Sequence, residues 1–123
     1  MSSTGGLQVL IVEGDRGLRE RMGAILAADG WDVSLAADAR EATELAYMHS
    51  PDVVVLGMDE QPIYRMQVAV ESLRCVCDTP FRLLATGTRR RGDALAALGA
   101  TDFLPQPIEF AAVRAMVRGG TPS

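Results

Sequence analysis

The stretch Asp52-Val53-Val54-Val55-Leu56-Gly57 decides the fold. Its unbroken apolar run has strand length and no polar face, which predicts a central strand buried on both sides. Apolar and amphipathic segments alternate around it. Residues 7–12 read as another apolar strand. A helix from about Asp15 follows, with Leu18, Met22, Ile25 and Leu26 on one face and Gly30 as its stop. Trp31-Asp32-Val33-Ser34-Leu35 alternates with period two, as a half-buried edge strand does. Asp38, with Glu41 three residues on, reads as the N-cap of a helix running to about Met48. Beyond Gly57, Ile63, Met66, Val70 and Leu73 recur at helical spacing, and Pro80 precedes a strand over 81–85. A short helix over about 93–98 ends at Gly99, and Phe103-Leu104 is a brief strand. Phe110, Val113 and Val117 mark a last helix that stops at Gly119-Gly120.

Five strand–helix units in strict alternation imply an α/β fold with one doubly wound, five-stranded parallel sheet. The first, third and fourth strands are the most uniformly apolar, which fits the flavodoxin-like order 2-1-3-4-5. In that order the switch point lies between strands one and three, and ligands bind at their carboxyl ends. Glu13, Gly14 and Asp15 stand at one of those ends; Gly57, Met58 and Asp59 stand at the other. Any site belongs there.

The 123 residues fit one domain and are enough to bury a core. Residues 7–118 are assigned to it, 1–6 to a flexible N-terminus and 119–123 to a tail or the start of a linker. A net charge of −4 argues against nucleic-acid or anionic-membrane binding by the domain as a whole. No apolar run reaches the roughly 20 residues of a membrane helix. Cys75 and Cys77 are too close for a disulfide or a redox C-x-x-C pair, so a reduced, cytoplasmic protein is expected. His49 is the only histidine, which excludes a multi-histidine metal centre.

Four segments in order carry a resemblance over about residues 7–118. They are Val9-Leu10-Ile11-Val12-Glu13-Gly14-Asp15, Pro51-Asp52-Val53-Val54-Val55-Leu56-Gly57, Thr79-Pro80-Phe81-Arg82-Leu83-Leu84-Ala85 and Gly99-Ala100-Thr101-Asp102-Phe103-Leu104-Pro105-Gln106-Pro107. The sequence resembles the CheY-like receiver domains of response regulators, the phosphoacceptor modules of two-component signalling. The resemblance implies a phosphoacceptor aspartate at position 57, paired acids for magnesium at 13 and 14, a hydroxyl residue at 85 and a lysine at 106. It puts a switch aromatic at Phe103 and makes the Gln106–Pro107 bond cis. This chain keeps Glu13 but has Gly14, Gly57, Ala85 and Gln106 at the other four places. A carboxylate nucleophile is not replaceable by glycine with its chemistry retained.

The expectation is a pseudo-receiver without catalytic residues, metal or cofactor, working as a phosphorylation-independent protein-interaction module. Its partner is a signalling protein or a second copy. Other readings stay open. Gly57 also reads as a backbone-clearance glycine. Glu13, Asp15 and Asp59 read either as a remnant acidic pocket or as strand-end and capping acids. Asp59 is a candidate displaced phosphoacceptor, and the switch point is a candidate small-ligand site, such as one for a flavin phosphate. Thr86-Gly87-Thr88 offers hydroxyls but no nucleophile–base pair. Arg89, Arg90 and Arg91, beside Phe103 at the fourth helix, read as an interface or as a solvated face.

Overall fold

The computed structural model describes residues 7–58 and 61–119. The expected alternation is present: β1 (Gln8–Val12), α1 (Arg16–Ala28), β2 (Asp32–Ala36), α2 (Ala39–His49), β3 (Val53–Leu56) and α3 (Ile63–Val76). There follow β4 (Arg82–Gly87), a 3-10 turn (Arg89–Arg91), α4 (Gly92–Ala97), β5 (Asp102–Pro105) and α5 (Phe110–Arg118). The strands form one parallel sheet in the order β2-β1-β3-β4-β5. Segments 1–6 and 120–123, assigned above to the termini, lie outside the described residues.

Strand alternation sorts the core into two layers. Leu10, Val12, Val54, Leu56, Leu83 and Ala85 face α2, α3 and α4, where Ala42, Ala46, Met66, Val70, Leu73 and Leu95 meet them. Val9, Ile11, Val53, Val55, Leu84 and Leu104 face α1 and α5, against Met22, Leu26, Val113 and Val117. β3 is buried at all four positions, because helices cover both its faces.

Helix starts follow the capping residues. Asp15 Oδ1 accepts the Leu18 N–H at 2.9 Å, and Asp38 Oδ1 accepts the Glu41 N–H at 2.9 Å. Glu41 reaches back to the Ala37 N–H at 2.7 Å, one residue short of the reciprocal partner that a capping box uses. Gly30 at φ +97° follows α1, and the Gln106–Pro107 bond is cis.

Asp29, the C-cap of α1, clamps that helix to α5. Arg114 Nε and Nη2 donate to its two carboxylate oxygens at 2.8 and 2.7 Å. A carboxylate is disfavoured at a helix C-terminus, and the guanidinium offsets this. The hydrogen bond from Arg114 is the main reason the Asp29 carboxyl titrates below its ordinary range. A carboxyl whose folded value is depressed adds stability above its unfolded value, about 4, and loses it as pH falls through the folded one. Asp29→Asn should therefore destabilise the protein at pH 7, with the difference from wild type shrinking toward acid. Thermal unfolding at several pH values checks this; a gap that widens on acidification contradicts it.

Candidate functional site

The carboxyl ends of β1 and β3 lie side by side, joined by the Gly57 N–H to the Val12 carbonyl at 2.7 Å. Glu13 and Gly57 continue the phase of the residues that face α1 and α5. Glu13 is buried at 3% exposure, and its Oε2 accepts the Asp15 N–H at 2.8 Å. Arg19 Nη1 donates to the Glu13 carbonyl at 2.8 Å and pins the turn between β1 and α1.

Gly57 does not have the positive φ that demands glycine. What it lacks is room. A Cβ there would collide with Glu13 Oε1 and lie 2.6 Å from Thr86 Oγ1. The place of an acceptor side chain is filled by a glutamate from the neighbouring strand.

The resemblance aligns Ala85 with the hydroxyl position, but the register corrects this. Ala85 pairs with Phe103 and points into the layer beneath α2, α3 and α4. Thr86, one residue on, points the opposite way and brings its hydroxyl to Gly57. Its Oγ1 has no hydrogen-bond partner among the described residues, and its side chain is 2% exposed. The signal was available in the phase of β4: Leu84 belongs to the α1/α5 layer, so Thr86 does too.

The expected acidic pocket does not assemble among the described residues. Asp15 is exposed and spends its side chain on the α1 cap; Asp59, the displaced-acceptor candidate, lies outside the described residues. Gly14 is exposed and brings no side-chain oxygen. Gln106 is exposed and lines a groove of about 620 Å³ with Leu18, Arg21, Pro107, Ile108 and Phe110. The chain contains no lysine at all, so no neighbouring one substitutes for it.

The magnesium ion that the resemblance implies does not fit this donor set. Hard cations of that size need an octahedron of oxygens anchored by one or two carboxylates. Of the two described carboxylates at the strand ends, that of Asp15 caps α1, and that of Glu13 is turned onto the Asp15 amide and the Gly57 space. No group of three His, Cys, Asp or Glu among the described residues has metal-binding proximity.

The arginine triplet divides. Arg89 and Arg90 are exposed on the 3-10 turn. Arg91 turns inward, donating Nη2 to the Gln61 carbonyl at 2.6 Å and touching Met66 Sδ at 2.7 Å. Phe103 is half-buried against the α3/α4 layer, with its ring against Gly92. His49 is exposed at the end of α2. Cys77 packs against the core, and burial, with Asp78 beside it, pushes its thiol above the usual range. Trp31 packs against the α1/α5 layer. No described helix is long and apolar enough to cross a membrane.

No protein-family model matches the sequence. Response regulator MprA of Mycolicibacterium vanbaalenii is 34% identical over 122 residues, which cover 94% of this chain and 52% of that protein. MprA of Mycobacterium leprae is 31% identical, over 94% of this chain and 53% of its own. The chain thus spans about half the length of the curated relatives it matches. Chemotaxis protein CheY4 of Vibrio cholerae superposes with a TM-score of 0.79 at 22% identity, over 95% of this chain and 100% of that one. A two-component response regulator from Clostridium difficile gives 0.78 at 18%, over 92% and 93%. At such identities these structures speak to fold alone. The chain thus has the fold of the CheY-like receiver structures and is similar along 94% of its length to the MprA response regulators.

Proposed function

We propose that this chain is a phosphorylation-independent pseudo-receiver, a cytoplasmic interaction module in a two-component signalling pathway and not an enzyme. One observation carries the reading: the volume above Gly57 that an acceptor aspartate would use is taken by Glu13, with Thr86 beside it. The absence of any lysine adds to it, since nothing remains to hold a phosphoryl oxygen as a lysine would. A flavin-phosphate or similar anion site is disfavoured, because a buried carboxylate occupies the place where such a ligand needs donors. Phosphorylation at Asp59 is the competing reading.

The partner is a protein or a second copy of this chain. Arg89 and Arg90 give an acidic chain a locally positive edge beside α4 and β5, and arginine is enriched at interfaces. Two measurements on the intact protein test the proposal. Amide spectra taken with and without acetyl phosphate and magnesium should superimpose; shifts spread over the ends of β3 and β4 would overturn phosphorylation independence. Arg89→Glu combined with Arg90→Glu should weaken self-association in sedimentation velocity, or binding to the protein's signalling partner, at least tenfold. Interactions that survive the reversal unchanged put the interface on another face.

A further inference from the structure

We infer that Glu13 is the permanent occupant of the pocket at the end of β3, closing it to cation and phosphoryl group and holding the β1–α1 turn in one state. This deepens the pseudo-receiver reading and rests on it. A degenerate site could simply be vacant, its missing side chains replaced by solvent. Here the space is refilled from within. The backbone at Gly57 does not need glycine for its conformation, yet an added methyl group there would overlap Glu13 Oε1 and lie 3.3 Å from its Cδ. Glycine at 57 and glutamate at 13 are therefore complementary in shape: the first vacates the volume that the second fills.

The carboxylate is fastened where it lies. Its Oε2 takes the Asp15 N–H at 2.8 Å, and Asp15 in turn caps α1 through the Leu18 N–H. Arg19 returns from the first turn of α1 to the Glu13 carbonyl. These contacts link the contents of the pocket to the start of α1. In a switchable site the contents change with the ligand and the surroundings follow; differential contact with two states is what moves an equilibrium. A tethered side chain makes no such difference.

A double-mutant cycle on thermal stability tests the occupancy without any activity readout. Gly57→Ala forces the Glu13 carboxylate out of its place and should lower the unfolding midpoint by about 4–8 °C. In a Glu13→Ala background the same change should cost less than half as much. The contact with Thr86 Oγ1 is common to both arms and cancels. Should Glu13→Ala not fold, Glu13→Asp, which keeps the charge on a shorter arm, runs the same cycle with the same expectation. Equal losses in both backgrounds would overturn the occupancy, while leaving the lack of an acceptor untouched. Uptake of a phosphoryl group by the wild-type protein would sink the pseudo-receiver reading and leave the cycle standing.

Discussion

Gly57→Asp, the change that restores the missing acceptor, should destabilise the protein by about 3 kcal/mol at pH 7 and yield little or no phosphorylation. The unfolding midpoint should fall on the order of 10 °C. Two causes add. The new Cβ meets Glu13 Oε1 and Thr86 Oγ1, so at least two buried side chains must leave their places. The new carboxylate then shares a buried pocket with that of Glu13, and like charges in such a site force one of the pair to keep its proton. The sign of the pH dependence follows. The folded variant binds a proton that the unfolded chain releases at about pH 4, so its stability falls as pH rises above that value. The deficit relative to wild type should be largest at neutral pH and shrink toward pH 4. Phosphorylation should stay slow, because Gly14 and Gln106 leave the metal and the phosphoryl oxygens unheld. Rapid, stable modification of a well-folded Gly57→Asp protein contradicts this.

Leu95→Ala should lose about 3 kcal/mol, within the range for truncating a buried leucine. Leu95 is the only buried residue of α4 and is 1% exposed. Its carbonyl also takes the N–H groups of Leu98 and Ala100, which end the helix. Six residues cannot sustain a helix without packing, so α4 depends on this one anchor. Urea unfolding gives the loss, and hydrogen exchange should show its largest gain over 89–100, the segment that carries Arg89 and Arg90. A loss below about 1 kcal/mol, or exchange rising evenly along the chain, would show that α4 is held by something else.

Much of the fold was open to reading in the sequence. The run 53–56 could only be a central strand, Asp15 and Asp38 announced their helices, and strict alternation left few topologies. Gly57 marked the site because a strand end at a switch point is where a side chain matters. The finer geometry was hidden for physical reasons. Motif alignment sets Ala85 against the hydroxyl position, and in a strand a one-residue error flips the face, so Thr86 reads from sequence only as one of several nearby hydroxyls. Arg91 is indistinguishable in sequence from Arg89 and Arg90, yet it finds the Gln61 carbonyl across the fold, a contact between residues 30 apart. Phe103 is half-buried beside Ala85, its register partner on β4, a packing that shows only once the strands are paired. That Glu13 would fill the space above Gly57 required coordinates.

Intact-mass spectrometry after incubation with acetyl phosphate and magnesium tests the central claim most directly, run on the wild-type protein and on Asp59→Asn side by side. Both masses should stay unchanged, since no described residue offers an acceptor held for the reaction. A gain of one phosphoryl group by the wild-type protein would contradict the account, and its loss in Asp59→Asn would name the acceptor.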